Sequence, residues 1–225
     1  MSTHSTIGVD NCLHERIIVA MQLDRPLATV TPTVDGDVLA VLALADAAFT
    51  PPEVHRLVDR HSVSGVRNAL NRLVEQGVVE AETVGRAVRY QLNREHLAAA
   101  AVTELANLRS VLVERIRSLV STWDVPPVLV MIFGSAANGA MRTDSDIDLF
   151  AVADEPNVTN RHWRAQIAEL EASVGRWTGN DVRTLEYSTG DLSHPDDPVI
   201  ADIARHGIVV VGDRELLRPG RKAPA

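Results

Sequence analysis

The chain has 225 residues, 45% of them hydrophobic and 23% charged, and a formal net charge of −8. That length holds one large domain or two small ones, and the composition is that of a globular chain rather than a disordered one. The acidic balance excludes a protein that coats nucleic acid nonspecifically, because Lys and Arg that neutralise phosphates supply most of such binding.

Residues 1–36 form an N-terminal arm without sustained periodicity. Its opening, MSTHSTIGVDNCLHER, lacks the basic and apolar segments of a signal peptide, and no apolar run in the chain approaches membrane-spanning length. The expectation is therefore a cytoplasmic protein with no membrane contact. Cys12, the one cysteine, has no partner for an internal disulfide, and the eight histidines show no zinc-type spacing. The alternation in LATVTPTV, residues 27–34, predicts a short edge strand.

From Asp37 the pattern turns helical. DVLAVLALADA is a first helix, and Thr50 with Pro51 starts a second. In VSGVRNALNRLVEQG, apolar Val63, Val66, Ala69, Leu70, Leu73 and Val74 recur at three-and-four spacing up to Gly77, a third helix with one buried stripe. VVEAETVGRAVRYQLN then reads as two strands around a turn in which Gly85 takes positive φ. Asn93 caps a long helix from about 94 to 122, with Leu97, Leu105, Leu108, Leu112, Ile116 and Leu119 on one stripe and Pro126 and Pro127 beyond its end. Residues 98–124 thus act as a connecting helix. After it, VLVMIF and the strand within MRTDSDIDLFAVA, the helix WRAQIAELEASVGRW, the strand VRTLEY, the helix DPVIADIARHG and the strand IVVVG alternate as in an α/β unit over 125–212, followed by a tail at 213–225.

The densest chemical signal is GSAANGAMRTDSDIDLFAV, residues 134–152. Alternation along a strand points Asp146 and Asp148 to one face while Ile147 and Leu149 enter the core. Two carboxylates side by side repel unless a cation lies between them, and Mg²⁺, a hard ion with oxygen ligands, is the natural one. Gly134 and Ser135 lie where a strand turns into a helix, so their backbone N–H groups and the Ser135 hydroxyl can face a phosphate. Gly139 allows close approach of the next loop, Arg142 is placed to touch phosphate, and Ser145 belongs to the same loop. Glu186, sharing a strand face with Val182 and Thr184, is the candidate base or further metal ligand, with Asp181 in reserve.

Gly134-Ser135, then Gly139, then Asp146-Ile147-Asp148 resembles the signature of the DNA polymerase beta-like nucleotidyltransferases, in particular their minimal, MNT-type members. The resemblance implies a mixed sheet flanked by helices, Mg²⁺ dependence, an NTP donor, and a third carboxylate on a later strand. It departs from the pattern at Asn138, where many members carry Arg, and at Glu186, which is not a clear Asp beside a valine. Small members often belong to toxin-antitoxin systems.

Three helices and a hairpin over 37–97 resemble the winged helix-turn-helix of bacterial regulators, which implies DNA binding. The third helix would offer Ser64, Arg67, Asn68, Asn71 and Arg72 to the major groove, and Arg86 and Arg89 on the hairpin would meet phosphate or the minor groove. Residues 37–97 hold seven Arg against eight acidic residues. RNA and a protein partner are the alternative ligands, and the stripe on the connecting helix fits a homodimer. The sequence therefore predicts an α+β chain of two domains: an N-terminal winged helix-turn-helix, a long connecting helix and a C-terminal nucleotidyltransferase fold with a mixed sheet. Two functions follow from it: Mg²⁺-dependent transfer of a nucleoside monophosphate from NTP to a hydroxyl, or a DNA-binding regulator that senses nucleotide without catalysis.

Overall fold

The computed structural model describes residues 21–193 and 197–218. The expectations that fall on 1–20 and 219–225, that for Cys12 among them, lie outside these residues. Among the described residues no helix is long and apolar enough to cross a membrane.

The first described segment is not a strand. Pro26 begins a 3-10 turn, Pro26–Thr29, whose Leu27 is buried. Proline pre-sets φ for such a turn and lacks the N–H that a ladder would use, and one buried leucine fixes the segment on the core. Helix α1 (Val34–Leu44) follows, starting ahead of Asp37, with Asp35 and Asp37 in its first turn, where the helix dipole favours negative charge. Helix α2 (Pro51–Val58) opens with Thr50, whose backbone N–H and hydroxyl both donate to the Glu53 carboxylate at 2.7 and 2.8 Å. It ends at Asp59, the one non-glycine residue among those described with positive φ, +36°. Helix α3 (Val63–Glu75) is capped by Ser62, whose Oγ accepts from the Gly65 N–H at 3.1 Å. Strands β1 (Val79–Val84) and β2 (Ala87–Leu92) pair antiparallel around Gly85 and Arg86, with Gly85 at φ +64°. Val38, Leu42, Val54, Val66 and Leu70 are wholly buried between the three helices and the hairpin.

The connecting helix is broken in two. Residues 94–98 form turns, and Leu97, expected on the buried stripe, is fully exposed. Helix α4 (Ala99–Ala106) packs with the N-terminal core, whereas α5 (Leu108–Val120) contributes Leu112, Ile116 and Val120 to the core of the C-terminal sheet. The break lies at Asn107, whose side-chain amide donates to the Thr103 carbonyl at 2.8 Å. An Asn side chain competes with the backbone for helical hydrogen bonds, and the two halves serve different cores.

The C-terminal part is a mixed sheet between helices. Strands β3 (Leu129–Phe133), β4 (Ile147–Ala153), β5 (Val182–Ser188) and β6 (Ile208–Val211) take the order β5-β4-β3-β6, with β4 and β5 parallel and the other pairs antiparallel. Short helices α6 (Ser135–Asn138) and α7 (Glu155–Val158) flank β4 in sequence, and α8 (Arg161–Thr178) is the crossover from β4 to β5. Helix α9 (Pro198–His206) precedes β6. One sheet face carries Ile147, Leu149 and Ala151 against α5 and α8; the other carries Phe150 and Val152 against α9. Both faces are covered, so β3 and β4 read as continuous apolar runs broken only at the end of β4 that bears the aspartates.

Candidate functional site

The site forms where β3 hands the chain to α6 and the loop returns it to β4. Gly134 adopts φ +65° and ψ −145°, a conformation that side chains avoid. A Cβ there would stand 2.5 Å from Oδ2 of Asp148, so the bare Cα also makes room for that carboxylate. Asp148 is the cross-strand partner of Phe133, the residue before Gly134, and the Gly-Ser turn and the carboxylate are thereby brought together. Burial pushes the Asp148 carboxyl above the usual carboxylate range, the neighbouring Asp146 charge adds to this, and Arg183 opposes it. Both aspartates are half-buried on the face beneath α9.

The loop after α6 is shaped by its own residues. Gly139 takes φ +74°, but a Cβ there would meet open space, so this glycine serves the left-handed turn and not the close approach expected of it. Asn138 Oδ1 accepts from the Ala140 N–H at 3.2 Å. Ser145 Oγ accepts from the Arg142 N–H at 2.9 Å, while the Arg142 side chain is exposed and lies 3.5 Å from Asp144.

Glu186 is not brought to the pair. In the parallel ladder its partner is Ala151, on the face opposite Asp148, and its Oε2 accepts from the buried Trp163 Nε1–H at 2.6 Å. The residue on β5 that faces the pair is Arg183, ladder partner of Asp148, with Nη2 2.9 Å from Oδ2 of Asp146. Asp181 lends only its backbone carbonyl, to the Ile147 N–H at 2.8 Å. Among the described residues no cluster of three or more His, Cys, Asp or Glu exists, so the site offers two carboxylates. Two carboxylates are what Mg²⁺ commonly takes from a protein, the remaining positions going to water and substrate phosphates, so the donor set fits a single ion.

Several supporting residues escaped the sequence reading. Buried Asn180 donates to the Ser145 carbonyl at 2.9 Å and exchanges hydrogen bonds with the backbone of Met21. Gln22 donates to the Met141 carbonyl at 2.9 Å, and Arg109 to the Ala137 carbonyl at 2.9 Å. None belongs to a recognisable spacing, because each partner lies far away in sequence.

On the N-terminal helices, Ser64, Arg67, Asn68, Asn71 and Arg72 share the exposed side of α3. Ser64 is 3.1 Å from the Ser62 hydroxyl, Asn71 accepts from Tyr90 at 3.4 Å, and Arg72 makes a two-pronged pair with Asp35 at 3.1 and 2.8 Å. The side chains of Arg67 and Asn68 make no hydrogen bond among the described residues, and Arg86 and Arg89 are exposed on the hairpin.

Residues 114–215 match the family described as Polymerase beta, Nucleotidyltransferase. Among solved structures, a toxin-antitoxin with AMP-PNP aligns over 47% of this chain and 79% of that one, at 21% identity and a TM-score of 0.35. A mutant of the toxin-antitoxin MntA-HpeT aligns over 47% and 77%, at 17% identity and a TM-score of 0.35. No curated protein matches the sequence significantly. Residues 114–215 are thus a nucleotidyltransferase domain of the polymerase beta type.

Proposed function

We propose that the chain is a Mg²⁺-dependent nucleotidyltransferase that moves a nucleoside monophosphate from NTP to an acceptor hydroxyl, fused to a winged helix-turn-helix that binds duplex DNA. The observation that carries the enzymatic part is the placement of Asp146 and Asp148 side by side against the Gly134-Ser135 turn, with the Asp148 carboxyl raised by burial and by its neighbour. Asp146 and Asp148 hold the metal, and the backbone N–H groups after Gly134 together with the Ser135 hydroxyl hold triphosphate oxygens. Bound there, Mg²⁺ would offset charge on the phosphoryl oxygens; the acceptor hydroxyl loses its proton, forms the new bond to the α-phosphorus, and pyrophosphate leaves. Asn180 acts on the reaction indirectly, by fixing the Ser145 carbonyl and so the loop that delivers Asp146.

In this reading α1, α2 and α3 with the β1–β2 hairpin are the winged helix. Arg67 and Asn68 are the base-reading residues, because Arg72 and Asn71 are already held by Asp35 and Tyr90. Arg86 and Arg89 meet the phosphate backbone.

The test is incubation of the full chain and of Asp146→Ala with Mg²⁺, each α-labelled NTP, total RNA and lysate. Label transferred by the wild type alone supports the enzyme and identifies its acceptor as RNA, protein or small molecule. One observation favours the second reading, a DNA-binding regulator that senses nucleotide: the β5 position facing the pair carries Arg183 instead of a carboxylate. Metal-dependent nucleotide binding without any transferred label would select it.

A further inference from the structure

Only alternate residues of β5 face the carboxylate pair. Glu186 turns to the opposite face, Leu185 packs into the apolar layer beneath α9, and residue 183 is the position level with Asp148. That position holds a guanidinium, 2.9 Å from Oδ2 of Asp146, on a side chain that is 74% exposed. One of the two carboxylates a metal would use is therefore already paired with a cation, on a largely exposed arm.

We propose that Arg183 is a built-in counter-cation of the pair, which competes with the divalent ion for Asp146 and confines the site to one ion. This rests on the reading of Asp146 and Asp148 as metal ligands. The charge balance carries it: two carboxylates and one guanidinium leave a single net negative charge, which one divalent ion reverses. A second ion would meet both that ion and the guanidinium, with no third carboxylate to offset them. Exposed ion pairs are weak, so the first ion displaces Arg183 at modest cost in affinity. An acidic side chain at 183 would instead present a third oxygen ligand from β5, level with Asp148.

The experiment is a Mn²⁺ titration of the full chain without nucleotide, with free ion read by electron paramagnetic resonance, for wild type, Asp146→Ala, Arg183→Gln and Arg183→Glu. The wild type should bind one ion, lost in Asp146→Ala. Arg183→Gln should bind one ion about ten-fold more tightly, from removal of one positive charge a few ångströms away. Arg183→Glu should bind two. Equal affinity and one ion in the wild type and both Arg183 variants would overturn the role of Arg183 while leaving the metal site intact. No binding by any of the four proteins would overturn the metal site and this inference together.

Discussion

Replacing Gly134 by Ala tests whether the turn and the carboxylate are one mechanical unit. The added methyl would stand 2.5 Å from Oδ2 of Asp148, whereas a carbon and an oxygen in contact sit roughly 3.3–3.6 Å apart. The backbone at φ +65° and ψ −145° adds strain for any side chain, of order 1–3 kcal/mol. In a chain of this size each kcal/mol lowers the melting temperature by roughly 2–4 °C, so a fall of about 2–12 °C is expected. Mn²⁺ affinity should fall as well, because Asp148 must rotate away or Gly134 must shift. Asp148→Asn separates the two effects. It should lose Mn²⁺ binding yet melt no lower than the wild type in metal-free buffer, since a carboxyl raised by burial and by Asp146 destabilises the fold when ionised at neutral pH. Differential scanning calorimetry with a parallel Mn²⁺ titration reads both quantities. A Gly134→Ala protein that melts with the wild type and binds Mn²⁺ equally well would refute the coupling.

Two further outcomes follow from contacts away from the Asp146–Asp148 pair. Burial pushes the Asp37 carboxyl up, but hydrogen bonds from Arg25 at 3.0 and 2.7 Å and from His61 at 2.7 Å outweigh it and hold the group below the usual carboxylate range. A carboxyl depressed in the folded state adds stability above its unfolded pKa of about 3.9 and loses it as pH falls through the lower folded value. Asp37→Asn should therefore cost about 1–3 kcal/mol in urea denaturation at pH 7, and the gap to wild type should shrink in acid. A gap that stays constant from pH 7 to pH 3 would count against that ion pair. Glu186→Ala should leave Mn²⁺ affinity unchanged, because Glu186 lies on the other sheet face, yet destabilise by about 1–3 kcal/mol by stranding the buried Trp163 N–H. Weakened Mn²⁺ binding would instead return Glu186 to the site.

Strand alternation was enough to put Asp146 and Asp148 on one face, because β4 is a buried strand whose neighbouring residues are all apolar. The same rule fails on β5. Its sequence VRTLEY has Val182 on one face and Leu185 with Tyr187 on the other, and helices cover both, so periodicity names no preferred side. Only the parallel register with β4 decides that Arg183 meets Asp148 and Glu186 meets Ala151. Asn107 sits at a position that reads as one more solvent-facing residue of a long helix. The Asn107 side chain competes locally for the Thr103 carbonyl, and what turns that into a break is that the two halves pack into different cores, a tertiary demand. Residues 27–34 mislead for a related reason: Thr and Val suit a strand, but Leu27 has a core to enter and no neighbouring strand with which to pair.

The short helix that carries Ser135 is held in part by residues outside the segment that matches the nucleotidyltransferase family. Its last carbonyls accept from Arg109, at Ala137 and 2.9 Å, and more loosely from Arg60, at Gly139 and 3.5 Å. Cations at a helix C-terminus offset the partial negative charge there, and a four-residue helix has few internal hydrogen bonds of its own with which to hold its place. Arg60 also pairs with Asp24 at 2.9 Å, and it stands in the turn between α2 and α3, beside His61, whose partner Asp37 is shared with Arg25. The residues between Leu23 and Arg25 thus touch both the turn before α3 and, through Leu23 and Met141, the loop before Asp146. Any movement of that loop would strain these contacts. Arg109 and Arg60, which lie outside the matched segment, thus anchor part of the Gly134-Ser135 turn and its loop.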